Sequence, residues 1–201
     1  MIELGKIQSL KIVKFTDFGA YLSDGIDNED RVLLPIKQLP DGAQVGDSVE
    51  VFVYRDSKDR LISTTNKPYL TLGQAAKLTV NDVTSIGAFL DWGLEKDLFL
   101  SFKEQTTRVR KGQSYMFALY IDKSNRLAAT MKVYKYLPVG EGYEVDQEVS
   151  GIVYELSDRF GAFVAIDGKY QGLIPSKEVH GNLAIGDEVT ARITAIREDG
   201  K

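Results

Sequence analysis

Cysteine is absent from all 201 residues. The chain therefore holds no disulfide and no thiolate metal site, and nothing argues for an oxidising compartment. Histidine occurs once, at His180. A metal site or a catalytic dyad would need partners that this composition does not supply, so His180 reads as a surface residue. Tryptophan also occurs once, in the stretch DWGLEKD, where Trp92 serves either as an exposed stacking residue or, the favoured reading, as a residue that packs on a loop. Long apolar runs are missing. No stretch approaches the ~20 residues of a membrane span, and the opening MIELGKIQSL lacks the apolar core of a signal peptide. These absences make the cytoplasm the default location and leave no membrane partner. The glycine signatures of nucleotide phosphate sites and of nucleophile elbows are missing as well. Carboxylate pairs such as Glu29-Asp30 and Glu198-Asp199 lie in turn-rich polar segments and read as solvated charge. We therefore expect no catalysis, no cofactor, no metal and no small-molecule substrate.

The formal charge is −4, which counts against a simple polyanion binder, because phosphate contacts need Lys and Arg. The total hides an asymmetry. Residues 1–66 carry 8 Lys and Arg against 11 Asp and Glu, residues 67–135 carry 11 against 6, and residues 136–201 carry 6 against 12. The middle third, at +5, is a basic block between acidic blocks of −3 and −6. Such a distribution bears on partners, not on fold.

One pattern occurs three times. A Gly-Ala-aromatic turn appears in TDFGAYL (Thr16–Leu22), TSIGAFL (Thr84–Leu90) and DRFGAFV (Asp158–Val164). A short apolar strand follows at Val32–Leu34, Leu98–Leu100 and Gly172–Ile174. Then come Pro35 with Lys37, Ser101 with Lys103, and Pro175 with Lys177. A glycine (Gly46, Gly112, Gly186) finally precedes a long alternating strand. A recurrence at roughly 70 residues sets the organisation before any other feature.

Each unit reads as all-β. Val49, Val51 and Val53 alternate with Glu50 and Phe52, the period of a strand with one face in a core. Gly19, Gly87 and Gly161 suit a sharp bend or bulge. Gly46, Gly112 and Gly186 suit turns of positive φ. Short helical turns are expected only near Ile36–Leu39, Phe102–Thr106 and Ser176–His180. Pro68 and the Pro138–Gly142 stretch mark linkers at Asn66–Leu72 and Lys132–Glu144. The domains are then 1–66, 67–139 and 140–201. Units one and two end on RDSKDRLISTT (Arg55–Thr65) and IDKSNRLAAT (Ile121–Thr130), whereas unit three stops at IREDGK. Its last strand is missing, which would leave an open edge. The expectation is that the natural polypeptide continues past Lys201.

The Gly-aromatic second strand and the Arg-hydrophobic-x-Ser/Thr fifth strand resemble the RNA-binding repeat of ribosomal protein S1, a five-stranded oligonucleotide-binding (OB-fold) barrel. The resemblance is strongest over Gly151–Glu178, good in unit one, and weaker but in register in unit two. The stretch IGAFLDWGLEKDLFL (Ile86–Leu100), with three repeats in tandem, is similar to the bacterial conserved virulence factor B family. That family adds a C-terminal winged-helix domain, which the resemblance implies would follow Lys201. The resemblance implies an all-β chain of three tandem OB-fold barrels, the third without its last strand.

It also implies a site. In the wider family, RNA lies across the second and third strands, and aromatics flanking the turn glycine stack on bases. Carried over, unit one offers Phe18, Tyr21, Lys37, Asp56 and Arg60. Unit two offers Phe89, Lys103, Asp122 and Arg126, with Ile86 in place of the first aromatic. Unit three offers Phe160, Phe163, Tyr170, Lys177 and Lys201. A position often held by His in the family is Pro35, Ser101 or Pro175 here, which removes that contact. Arg108, Arg110 and Lys111 form a basic run that serves either as a solvated loop or as a phosphate contact.

The chemistry is general. Every base has a π-face, so an exposed aromatic stacks on it with little sequence preference, for about 1–3 kcal/mol per base. Neighbouring cations make binding salt-dependent. Single-stranded RNA suits such a surface because its bases can be splayed out. The expected role is RNA binding of low sequence specificity in post-transcriptional or virulence-related gene regulation. The alternatives are a protein-interaction scaffold, or the substrate-gripping part of a larger RNA-processing assembly. In a regular strand Phe18 and Tyr21, three apart, would point to opposite faces. A bulge at the glycine would bring both outward.

Overall fold

The computed structural model describes residues 1–25 and 29–201. Among them, every regular element is a β-strand or a single turn of 3-10 helix. In the first repeat, β1 (Ile7–Thr16), β2 (Gly19–Ser23), β3 (Val32–Pro35), β4 (Ser48–Arg55) and β5 (Leu61–Thr64) close into a barrel in the order β1-β2-β3-β5-β4. The closing pair, β3 with β5, is parallel, with Leu33 opposite Ile62. The alternating positions explain the closure. Leu10 and Ile12 of β1, Ala20 and Leu22 of β2, Val32 and Leu34 of β3, and Val49, Val51 and Val53 of β4 form one buried cluster.

Phe52 points away from that cluster yet is only 1% exposed. Trp92 covers it, edge-on at 5.7 Å between ring centroids. The indole N–H donates to the Lys96 carbonyl, so the polar end of a buried Trp is satisfied. Trp92 is thus a packing residue, as its sequence context suggests.

In the second repeat, β6 (Ala75–Val83), β7 (Gly87–Asp91), β8 (Leu98–Ser101), β9 (Ser114–Ile121) and β10 (Leu127–Thr130) form a five-stranded sheet, order β10-β9-β6-β7-β8. The neighbours repeat those of the first barrel, without its closing pair. In the third repeat, β11 (Glu148–Ser157), β12 (Gly161–Ile166), β13 (Tyr170–Pro175) and β14 (Glu188–Arg192) form a four-stranded sheet, order β13-β12-β11-β14. Among the described residues, this sheet has no counterpart of β5 or β10. Of the three expected barrels, the third without its last strand, the first is a closed barrel, the second a sheet of five strands and the third a sheet of four.

The chain divides into two compact units. One is Met1–Leu72 with Trp92–Lys96 and Ile121–Leu127; the other is Gly73–Asp91, Asp97–Tyr120 and Ala128–Lys201. Within the second unit, the expected linker Lys132–Glu144 is a packed segment. Val133 and Leu137 are buried in a cluster with Met116, Ala118, Ile152, Tyr154 and Ala165. The Gln171 side-chain amide donates to the Leu137 carbonyl at 2.8 Å and the Tyr134 carbonyl at 3.0 Å. The apolar residues flanking Pro138 outweigh its breaker signal. Short 3-10 turns occur at Ile36–Gln38, Phe102–Glu104 and Ser176–Glu178, where expected, and at Tyr134–Tyr136, where not. No helix of the described residues is long and apolar enough to cross a membrane.

Candidate nucleic-acid interface

The β1–β2 hairpin turns on only two residues, Asp17 and Phe18, because Thr16 pairs with Gly19. Phe18 therefore sits on the turn, outside the alternation of either strand, and is 77% exposed. Its N–H donates to the Thr16 hydroxyl at 3.2 Å. Gly19 makes the turn dock. A Cβ there would lie 2.0 Å from the Leu34 carbonyl oxygen, at a φ of +152°. With no side chain in the way, the Ile36 N–H donates to the Phe18 carbonyl at 2.8 Å. This ties Phe18 to the 3-10 turn that carries the exposed Lys37. Tyr21 follows on β2 and faces outward, while Ala20 and Leu22 face the core.

The third repeat copies this arrangement with a longer turn, Ser157 pairing with Gly161. The Ser176 N–H donates to the Phe160 carbonyl at 3.1 Å, and a Cβ at Gly161 would lie 2.0 Å from the Ile174 carbonyl oxygen. Phe160 is half exposed and Lys177 is exposed on the adjoining turn. The Phe160 and Phe163 rings meet edge-to-face at 6.4 Å. The Arg159 guanidinium lies 5.0 Å from the Phe160 ring. In the second repeat Ile86 takes the turn position, 64% exposed. Phe89 is half-buried against Phe99, its register partner on β8, at 5.5 Å. Lys103 is exposed on the following turn.

A bulge recurs in all three sheets, but not at the glycine. The register slips between Ile12 and Lys14, between Val80 and Asp82, and between Val153 and Glu155. The extra residues are Val13, Asn81 and Tyr154, one strand away from the expected place. Phe18 is outward because it occupies the turn.

Other expected residues lie elsewhere. Tyr170 pairs with Ile166, at the opposite end of the β12–β13 hairpin from Gly161 and Pro175. Five residues of strand put it about 17 Å from the level of Gly161. There it packs on Tyr143 at 5.6 Å, whose hydroxyl donates to the Asp167 carboxylate. Arg60 forms an ion pair with Asp56 at 2.8 Å across the β4–β5 turn. Burial raises the Asp56 pKa. Hydrogen bonds from the Arg60 backbone and side chain and from the Lys58 N–H overcome that and hold it below the ordinary carboxylate value. Arg126 is paired with Asp59 at 2.6 Å, and the Arg55 side chain donates to the Asn125 carbonyl at 3.1 Å. Arg108, Arg110 and Lys111 are exposed. Lys111 lies 3.9 Å from Asp82, the register partner of Phe89, and so is one strand removed from that ring.

The sequence reading missed Tyr134 and Phe99. Tyr134, 44% exposed, meets Phe163 edge-to-face at 5.9 Å and extends the Phe160–Phe163 row. The Lys201 ammonium lies 5.2 Å from the Tyr134 ring and donates to its hydroxyl at 3.0 Å. Tyr134 lay inside an assumed linker, which hid it. Phe99 was legible from the alternation of Leu98–Leu100 on a strand facing Phe89.

Residues 4–66 and 72–132 match the model of an S1 domain, and residues 143–201 that of an S1 RNA binding domain. This chain belongs to the S1 domain family. Its three S1 repeats coincide with the three sheets. The chain is 28% identical over 205 residues to YitL of Bacillus subtilis (strain 168), covering 98% of this chain and 67% of that protein. It is 27% identical over 239 residues to the small ribosomal subunit protein bS1 of Chlamydia muridarum, covering 98% of this chain and 42% of that protein. The chain thus spans about two thirds of YitL and under half of bS1. A crystal structure of a multidomain protein with nucleic acid binding domains from Streptococcus pneumoniae shares the fold, at a TM-score of 0.64 and 23% identity over 98% of this chain and 71% of that one.

Proposed function

We propose that this chain binds single-stranded RNA with low sequence preference and contributes no catalytic step of its own. The carrying observation is the repeated turn in which an exposed aromatic, Phe18 or Phe160, is tied by a backbone hydrogen bond to a lysine-bearing turn. Bases would stack on Phe18, Tyr21, Phe160 and Phe163, with Phe89 a lesser platform. Lys37, Lys103 and Lys177 would contact the phosphates beside them. Arg108, Arg110 and Lys111, in the basic middle block, would add the long-range attraction that the acidic outer repeats lack. The functional domains would be 1–66, 67–139 and 140–201. The Ile86–Leu100 stretch supports placing the chain with the conserved virulence factor B proteins, in post-transcriptional control.

Fluorescence anisotropy with labelled single-stranded and duplex RNA of the same sequence tests this reading. Tighter binding of the single strand is expected, because a duplex hides its base faces. Equal binding of both would reduce the interaction to charge alone. No binding of either at low salt would favour a protein-interaction scaffold, for which the acidic outer repeats speak.

A further inference from the structure

Within the second compact unit, the residues that line a groove of about 520 Å³ include Met131, Tyr134, Tyr154, Glu155, Leu156 and Ile185. Its size falls in the ~300–1,000 Å³ range of small-ligand sites. Three observations give it a chemistry. Tyr134, a lining residue, is the end of the aromatic row Phe160–Phe163–Tyr134. Lys132 and Lys135 are exposed beside it. Tyr154 is only 3% exposed, yet its hydroxyl has no hydrogen-bond partner among the described residues.

The last observation is the informative one. Buried polar atoms in folded proteins are almost always hydrogen-bonded, and leaving one unpaired costs about 1–3 kcal/mol. Tyr154 is the bulge residue of β11. Its counterparts in the other repeats are Val13 and Asn81, so packing of the bulge does not demand a phenol. Burial, then the Glu155 carboxylate and Tyr134, push the Tyr154 pKa up, which keeps the phenol protonated and able to donate. Met131, Leu156 and Ile185 supply apolar walls for a flat ring, and Glu155 offers an acceptor for an exocyclic amine.

We propose that this groove is a nucleotide pocket in which one base of the bound RNA strand leaves the Phe160–Phe163 platform, stacks on Tyr134 and receives a hydrogen bond from the Tyr154 hydroxyl. Lys132 and Lys135 contact the flanking phosphates. Lys132 lies 3.8 Å from the Glu104 carboxylate and donates to the Lys103 carbonyl at 3.2 Å, contacts that it exchanges for the phosphate. The third repeat then reads one base beyond its own strands, using the segment that joins it to the second.

The proposal rests on the RNA-binding reading and is tested separately from it. Binding of a fluorescein-labelled oligouridylate and oligoadenylate is measured for the full chain, for Tyr134→Ala, for Tyr154→Phe and for Phe160→Ala/Phe163→Ala. Stacking predicts a loss of about 5- to 150-fold for Tyr134→Ala. One hydrogen bond predicts a loss of about 2- to 10-fold for Tyr154→Phe. Tyr154→Phe removes a hydroxyl with no partner among the described residues, so its thermal unfolding midpoint should be unchanged or higher. If the full chain binds and the Phe160/Phe163 variant weakens it while both tyrosine variants bind normally, the pocket is overturned and the platform stands. A Tyr154→Phe variant that melts earlier with unchanged affinity also overturns it, by assigning the hydroxyl to folding. If the full chain binds neither oligonucleotide, both readings fall together.

Discussion

The Ile36 N–H donates to the Phe18 carbonyl at 2.8 Å, across a gap that exists only because Gly19 has no side chain. The equivalent bond joins Ser176 to Phe160 at 3.1 Å. In the first and third repeats one glycine thus couples strand packing to the placement of an exposed ring.

Gly19→Ala should therefore cost stability and misplace Phe18 together. Its Cβ would strike backbone, which cannot rotate away, at a φ unfavourable for an L residue. A loss of about 3 kcal/mol or more is expected, read from urea unfolding. A variant as stable as the parent would show that the hairpin relaxes freely.

Trp92→Ala should destabilise the first compact unit by about 3–5 kcal/mol, since it uncovers Phe52 and leaves a large void. Near-parental stability would mean that Phe52 finds other cover.

The Asp56 carboxyl has a folded-state pKa below its unfolded value. Its ionised form therefore adds stability above the unfolded value of about 4, and that contribution disappears as pH falls through the lowered folded value. Asp56→Ala should lower the urea midpoint at neutral pH, and the difference from the parent should shrink on acidification. A constant difference across that range would assign the effect to packing.

Among the described residues, strand β14 pairs only with β11, whereas β4 lies between β1 and β5. Amides of Glu188–Arg192 should exchange faster than those of Val49–Tyr54, because local opening needs fewer bonds broken. Equal protection would require another partner for β14.

Much of this was legible beforehand. The repeat, the glycine that follows each exposed turn residue and the lysine-bearing turns follow from residue types that few conformations tolerate. The bulge was not legible. Val13, Asn81 and Tyr154 share no chemistry, and an unpaired residue inside a β-rich stretch leaves no mark on its alternation. The packed segment around Tyr134 was hidden for a different reason. Pro138 and Gly140 signal a break, but Val133 and Leu137 face a core contributed by residues on strands of two repeats. Arg60 and Arg126 were placed by family analogy, whereas their ion pairs with Asp56 and Asp59 depend on hairpin geometry.

The most direct test of the central claim is the salt dependence of single-stranded RNA affinity, measured by anisotropy on the parent, on a charge reversal of Arg108, Arg110 and Lys111, and on Phe160→Ala/Phe163→Ala. Each phosphate contact should contribute about −0.7 to the slope of log affinity against log salt. The charge reversal should flatten that slope. The aromatic variant should lower affinity almost uniformly across salt, because a stacked ring neutralises no phosphate. A parent that shows no binding at low salt, or an aromatic variant that binds as the parent does, would contradict the account.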